Sequence, residues 1–313
     1  SDGVPEISTE GATVGGWKTR VKAIKMETSA MGGDSHVWVK DNKINIGPRR
    51  AVPLCRAAEL YPEILVKLRT IPSVSNALIT DNIQPGIFYI KTGYIPLDLA
   101  DSELLVYDAI SDTPTSLYDL RVRLKNRYPS SNVLDKLLQK RLIQTIAFTP
   151  TDALHILGDY CEHNVEASEI GAELLGLKCR QDVYQFAANV KQQFVRNIAS
   201  DLASFFLDGV AKEEVRKIFN IESPSIKFKI CMPVVLIGGP VAAYKKELSD
   251  IFDADIVLPE YSNVGNAAGA LSAKSVRRID FLIKPVSMLA PTGSSDVFSE
   301  LGRTRFHNYA DAI

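Results

Sequence analysis

Apolar and polar positions change rhythm several times along the chain, and each change predicts a different kind of element. Residues 19–26 alternate as a strand does. Residues 36–40 and 43–47 flank Asp41-Asn42, a pair suited to a tight hairpin turn, so a β-hairpin is expected there. Pro53 opens a helical pattern through Leu54, Ala57, Leu60, Ile64 and Leu65, and residues 86–92 read as a strand. Ser102 is read as the cap of a helix over Leu104, Leu105 and Tyr107. Ser116 caps a second helix, with Leu117, Leu120 and Leu124 on one side. A third helix is expected over 132–140 and a short strand over 142–146. Three helices and a strand in so short a stretch predict a winged-helix-like module.

Residues 150–220 are the most helical part. Val183, Phe186, Val190, Phe194, Ile198, Leu202 and Phe206 recur at helical spacing and predict a long helix, followed by a shorter one after a break near Gly209. The rhythm then shifts to a continuous apolar run, Val234-Val235-Leu236-Ile237, as in a strand buried on both faces. It ends in Gly238-Gly239-Pro240. A helix to about Phe252, a strand over 255–258 and a helix over 264–274 complete a β-α-β-α unit, and residues 281–286 give a last strand. The expected division is a β-rich part over 1–100, the winged-helix-like module over 101–149, a helical segment over 150–225, the βαβα unit over 226–290 and a tail over 291–313. The fold class implied is mixed α/β.

Composition narrows the function classes. Lys and Arg total 36 against 37 Asp and Glu, so no global basic field points to nucleic acid or an anionic membrane. The longest apolar run, 230–239, is half of what a membrane span needs, and no apolar signal segment opens the chain. Cys55, Cys161, Cys179 and Cys231 lie far apart without a C-x-x-C pair, which fits a reduced, cytoplasmic protein.

Several motifs could carry chemistry. Gly11-Ala-Thr-Val-Gly15-Gly16-Trp17-Lys18-Thr19 nearly spells a phosphate-binding P-loop, but Trp17 separates glycine from lysine. The flanking residues also lack the strand-then-helix context, so a glycine-bearing turn is expected. In Met31-Gly32-Gly33-Asp34-Ser35, two glycines let backbone N–H groups approach an oxyanion. Ser35 adds a hydroxyl and Asp34 could orient water or Mg²⁺. A tight turn holding nothing is the competing reading. Gly238-Gly239-Pro240 closes a strand and opens a helix, where ligands of open α/β sheets sit; a close-packed turn competes. Asp152 and His155 lie three apart at a helix start and could form an acid/base pair or contribute metal ligands; a structural histidine competes. Cys161-Glu162-His163 lacks a matching half-site and reads as structural. Arg121, Arg123, Lys125, Arg127, Lys136, Lys140 and Arg141 make the winged-helix-like module basic. That makes DNA contact conceivable, with a solvated helical face as the favoured reading.

As an ordered set, these segments resemble the hydantoinase/oxoprolinase family. The resemblance is carried by Glu10-Gly-Ala-Thr-Val-Gly-Gly-Trp-Lys-Thr19, Met31-Gly-Gly-Asp-Ser35, Ile46-Gly-Pro-Arg-Arg50, Phe148-Thr-Pro-Thr-Asp-Ala-Leu-His155 and Ile237-Gly-Gly-Pro240. Members are similar in fold to actin, heat-shock chaperones and sugar kinases. The resemblance therefore implies an actin-like ATPase (ribonuclease H-like) lobe, here with a winged-helix-like insertion. It implies ATP and Mg²⁺ as cofactors and a small cyclic amide, a hydantoin or 5-oxoproline, as substrate, with ATP spent on activating the carbonyl. Gly32, Gly33 and Ser35 would belong to a phosphate hairpin, and Gly238, Gly239 and Pro240 to the adenosine-side turn. Asn266, in the helix around Val264-Gly-Asn-Ala-Ala-Gly269, would help close the nucleotide site. Asp34, Asp152 and His155 would handle water or protons. A second, hydantoinase B-like subunit is an implied partner.

The sequence departs from the family pattern in two places. Ala30 and Met31 stand where an aspartate usually precedes the glycines, and no D-x-G-G-T loop begins the chain. The expectation is therefore a C-terminal portion that partners an N-terminal lobe of the same protein and is catalytically silent alone. Two other classes compete: a non-catalytic actin-like assembly subunit, and a nucleic-acid-binding regulator built on the winged-helix-like module.

Overall fold

A computed structural model describes residues 7–8, 11, 13–14, 17–21, 23–24, 26, 28–72, 74–207, 210–220, 226–272 and 281–313. The chain divides into two compact units, 1–263 and 264–313. Among the described residues it is mixed α/β, with several small sheets and no closed barrel.

The first unit opens with two short antiparallel pairs, Ile7–Ser8 with Ala23–Ile24 and Thr13–Val14 with Trp17–Lys18. The strand expected over 19–26 is thus only Ala23–Ile24. Gly15 and Gly16, central to the near-P-loop, lie outside the described residues. A strand follows them where a P-loop requires a helix.

The expected hairpin is present as Ser35–Lys40 paired with Lys43–Arg50. Asp41 and Asn42 both adopt positive φ, 51° and 61°, as a two-residue turn matched to strand twist requires. Val37 and Val39 point into the core. Gln84 clasps this strand: its amide oxygen accepts the Val39 N–H at 3.1 Å and its amide nitrogen donates to the Val39 carbonyl at 3.0 Å.

The single helix expected after Pro53 is two, α1 (Leu54–Leu60) and α2 (Glu63–Thr70). Pro62 cannot continue α1, and the chain restarts after it. A four-stranded sheet follows in the order Val52–Pro53, Ile143–Ala147, Phe88–Lys91, Thr115–Ser116. Its first pairing is parallel and the others antiparallel.

Helices α3 (Asp101–Ala109), α4 (Leu117–Arg123) and α5 (Ser131–Gln139) form the expected three-helix group around Val106, Ile110, Leu120, Leu134 and Leu137. Ser116 caps α4 in a reciprocal box with Asp119. Ser102 is not a cap: α3 starts one residue earlier, after Ala100. Part of the basic run is consumed locally. Arg123 donates to the Ala109 carbonyl and the Ser111 hydroxyl, and Lys136 and Lys140 both pair with Glu103.

Helices α6 (Pro150–Leu157), α7 (Val165–Cys179) and α8 (Val183–Phe206) pack on α1 and the hairpin. Phe148 meets Phe186 edge-to-face at 5.5 Å. The apolar stripe of α8 is buried at Phe186, Val190 and Phe194 but reaches solvent at Phe206. Helix α9 (Lys212–Phe219) follows the expected break; Gly209 itself lies outside the described residues. Beyond it, Phe228–Lys229 pairs in parallel with Phe252–Asp253, and Val234–Val235 with Ile256–Val257, with α10 (Lys245–Ile251) as the crossover. The 234–237 run is not buried on both faces. Val234 and Leu236 pack on the core while Val235 and Ile237 are half exposed, because this two-stranded pairing is covered on one side only.

The second unit holds α11 (Gly265–Ser272), an antiparallel sheet of Leu282–Pro285, Ser295–Ser299 and Gly302–Phe306, and α12 (Tyr309–Ala312). The expected end of α11 at 274 lies outside the described residues. The segment over 291–313, expected as a tail, carries two of the three strands. Asp296 joins them through ion pairs with Arg303 and Arg305.

Candidate functional site

Thr149-Pro150 sets the start of α6. Proline at the first helical position has no N–H to leave unpaired, and Thr149 and Asp152 form a reciprocal capping box. Asp152 does more than cap its own helix. One carboxylate oxygen accepts the Thr149 N–H (2.8 Å), the Thr149 hydroxyl (2.8 Å) and the Leu54 N–H (3.2 Å). The other accepts the Cys55 N–H (2.8 Å) and the Ser168 hydroxyl (2.8 Å). Asp152 therefore fastens the first turns of α6 and α1 to α7. It is fully buried with five donors on it, so in this structure its carboxylate is engaged in holding helices together rather than open to water.

His155 is likewise held by structural partners. Its Nδ1 lies 2.8 Å from the Thr151 carbonyl and its Nε2 accepts the His163 N–H at 3.0 Å. That pairing places the ring proton on Nδ1. The ring is buried, stacked on His163 at 5.7 Å and against the Tyr160 edge. Asp152 lies in the first turn of α6 and His155 in its last, and the two hold separate partners rather than each other. Cys55, next to the Asp152 carboxylate, has its thiol pushed far up, first by burial and then by that charge, which makes it a poor nucleophile.

The Met31–Ser35 turn is tied from within and from α6. Gly32 N–H donates to the Ser35 hydroxyl at 2.9 Å, and Ser35 is fully buried. Its oxygen closes the turn rather than facing a ligand, against expectation. The Gly33 carbonyl accepts both the N–H (3.0 Å) and the hydroxyl (2.8 Å) of Thr151. A Cβ at Gly33 would sit 2.9 Å from Thr151 Oγ1 and 3.7 Å from Pro240 Cγ, so this glycine permits the close approach of three segments. The amides of Gly33 and Asp34 have no acceptor among the described residues. Asp34 lies at the surface, with Arg50 Nη1 3.3 Å from its carboxylate.

Across from this turn, Gly238 has φ 144°, a conformation left to glycine, and its N–H donates to the Ser262 carbonyl at 2.8 Å. A Cβ on Gly239 would meet nothing within 4 Å. The segments around Gly33, Thr151 and Gly239-Pro240 thus meet although they are far apart in sequence. Thr151 escaped the sequence reading; its only signal is a polar residue inside a proline-opened helix start. Asn266 belongs to the second unit, where it is exposed near the start of α11.

The arrangement can present backbone N–H groups to an anion at Gly33, Asp34 and Gly239. For Mg²⁺ the fit is thinner. Asp34 could supply one oxygen, as nucleotide-bound Mg²⁺ needs only one or two carboxylates besides phosphate oxygens. No group of three or more His, Cys, Asp or Glu suited to a metal ion occurs among the described residues. Neither is there a helix long and apolar enough to cross a membrane among them. Comparison with protein-family models, curated proteins and solved structures returns no match.

Proposed function

We propose that the chain is the phosphate-holding part of an ATP-dependent hydrolase of the hydantoinase/oxoprolinase type, cytoplasmic and built on an actin-like lobe. The observation that carries this reading is the meeting of Gly33, Thr151 and Pro240. Two glycine turns that the family resemblance assigns to one nucleotide approach each other here, and the Gly33 and Asp34 amides hold no acceptor among the described residues. In this reading Gly33 and Asp34 hold phosphate oxygens through backbone N–H groups. Gly239 leaves room for the nucleotide, and Asp34 is the remaining candidate for orienting Mg²⁺ or water. ATP would phosphorylate the carbonyl oxygen of a cyclic amide; water would add to that carbon, the ring C–N bond would break and phosphate would leave. The hydantoinase B-like partner and the N-terminal lobe belong to the same proposal.

A second reading is favoured by Asp152 and His155. With both saturated by structural hydrogen bonds, few proton-handling groups remain, which suits an assembly subunit that binds nucleotide without cleaving it. Calorimetry with MgATP tests the shared claim. Gly33→Val is a poor probe, since its Cβ would press on Thr151. Gly239→Asp points a carboxylate into open space and is expected to abolish binding with the fold intact. Equal affinity in wild type and Gly239→Asp would remove the site. Because the first reading also expects this chain to be silent alone, cleavage is assayed with the N-terminal lobe supplied; binding without substrate-stimulated ATP cleavage in that form would select the second reading.

A further inference from the structure

Lys191, on α8, is a cation that the proposed chemistry does not use, and its side chain is only 11% exposed. Its Nζ lies 2.9 Å from Asp159 Oδ2, just past the end of α6, and also pairs with Glu247 Oε1 on α10. Tyr244, three residues before Glu247, is buried with its ring tilted on Phe194 at 5.0 Å. The Tyr244 hydroxyl and Glu247 Oε2 are buried without a hydrogen-bond partner among the described residues. One buried ammonium is therefore shared by two carboxylates from two different elements.

Such a node is a weak source of net stability, because desolvating three charges offsets most of their attraction. What it does supply is registration. Helix α6 carries Asp159 beyond one end and Thr151, bonded to Gly33, at the other. Tyr244 and Glu247 follow Pro240 within seven residues, through the turn Val241–Tyr244 and the start of α10. Both walls of the proposed site thus lead back to Lys191.

We propose that Lys191 is a positioning residue, holding the Gly238–Pro240 turn at a fixed distance from the Gly33–Thr151 contact; its effect on nucleotide rests on the reading given above. The node itself is tested without nucleotide, by amide hydrogen exchange. In Lys191→Met, exchange at Gly238, Thr151 and Ala243 is expected to accelerate by about tenfold or more, while the Val37–Val39 amides keep their protection. Lys191→Arg, which can span the same two carboxylates, is expected to restore it. If Lys191→Met does not fold, Glu247→Gln serves. It leaves Lys191 paired with Asp159 and should loosen Gly238 and Ala243 while sparing Thr151. MgATP affinity is expected to fall about tenfold in Lys191→Met and to recover in Lys191→Arg. Unchanged exchange at Gly238 in both Lys191→Met and Glu247→Gln would overturn the proposal, as would a uniform loss of protection across residues 28–263. If the wild type binds no MgATP, the nucleotide reading fails, and the exchange pattern alone decides whether Lys191 positions the turn.

Discussion

Replacing Asp152 with Asn separates a structural carboxylate from a catalytic one. An isosteric amide leaves a catalytic site folded and merely inactive. Here the outcome should be different, because five donors converge on the two carboxylate oxygens. With the new NH₂ toward Leu54 and Thr149, two backbone N–H groups face a donor. With it toward Cys55 and Ser168, the serine hydroxyl can turn to accept, and only the Cys55 N–H is orphaned. The second orientation is the cheaper one. One buried orphaned donor costs roughly 1–3 kcal/mol, and weakening the remaining bonds from charged to neutral adds about 1 kcal/mol more. A loss of about 3 kcal/mol corresponds to a drop of roughly 6–12 °C in Tm for a unit of this size. Differential scanning calorimetry on wild type and Asp152→Asn reads it directly. A shift below about 1 °C would refute the double-cap assignment and return Asp152 to the candidate catalytic groups.

His36 gives a pH signature. Burial first, and the Arg49 charge second, hold its pKa down to about 3, and Nε2 has no partner among the described residues. The unfolded chain takes up this proton near pH 6.5 and the folded one refuses it, so the stability is present above 6.5 and lost as pH falls toward 3. About 2 kcal/mol should disappear between pH 7 and pH 5 in urea unfolding, and His36→Gln should lack that part of the slope; parallel slopes would refute it. For the basic module, with Arg123, Lys136 and Lys140 committed to neighbours, no sequence-selective shift of duplex DNA is expected at moderate salt; a saturable selective shift would overturn this.

Much of the local architecture was legible because it rests on local physics. Asp41-Asn42 announces its turn through residues that tolerate positive φ, and Ser116 with Asp119 spells its capping box. The helices over 183–206 and 212–219 follow from apolar spacing until the stripe reaches solvent at Phe206. Pro62 marks the break between α1 and α2, although the apolar spacing runs on across it. The site was harder for a different reason. Thr149-x-x-Asp152 also spells a capping box, yet the donors from Leu54, Cys55 and Ser168 arrive by tertiary folding, with no trace in the spacing around Asp152. The contact between Thr151 and Gly33 spans 118 residues and depends on α6 docking beside the hairpin. Lys191 looks like one more polar residue on an amphipathic helix until Asp159 and Glu247 close on it.

The proposal that Gly33 and Gly239 hold one phosphate is tested most directly by NMR of the ¹⁵N-glycine-labelled chain titrated with MgATP, with inorganic tripolyphosphate as a second probe. The expected result is saturable movement of the Gly33 and Gly239 amide resonances with a common affinity. Gly158, at the far end of α6, and Gly176, packed against Phe186 inside the helical layer, should stay in place. Stationary Gly33 and Gly239 resonances at millimolar nucleotide, or movement of Gly158 and Gly176 by the same amount, would contradict a phosphate site between these turns.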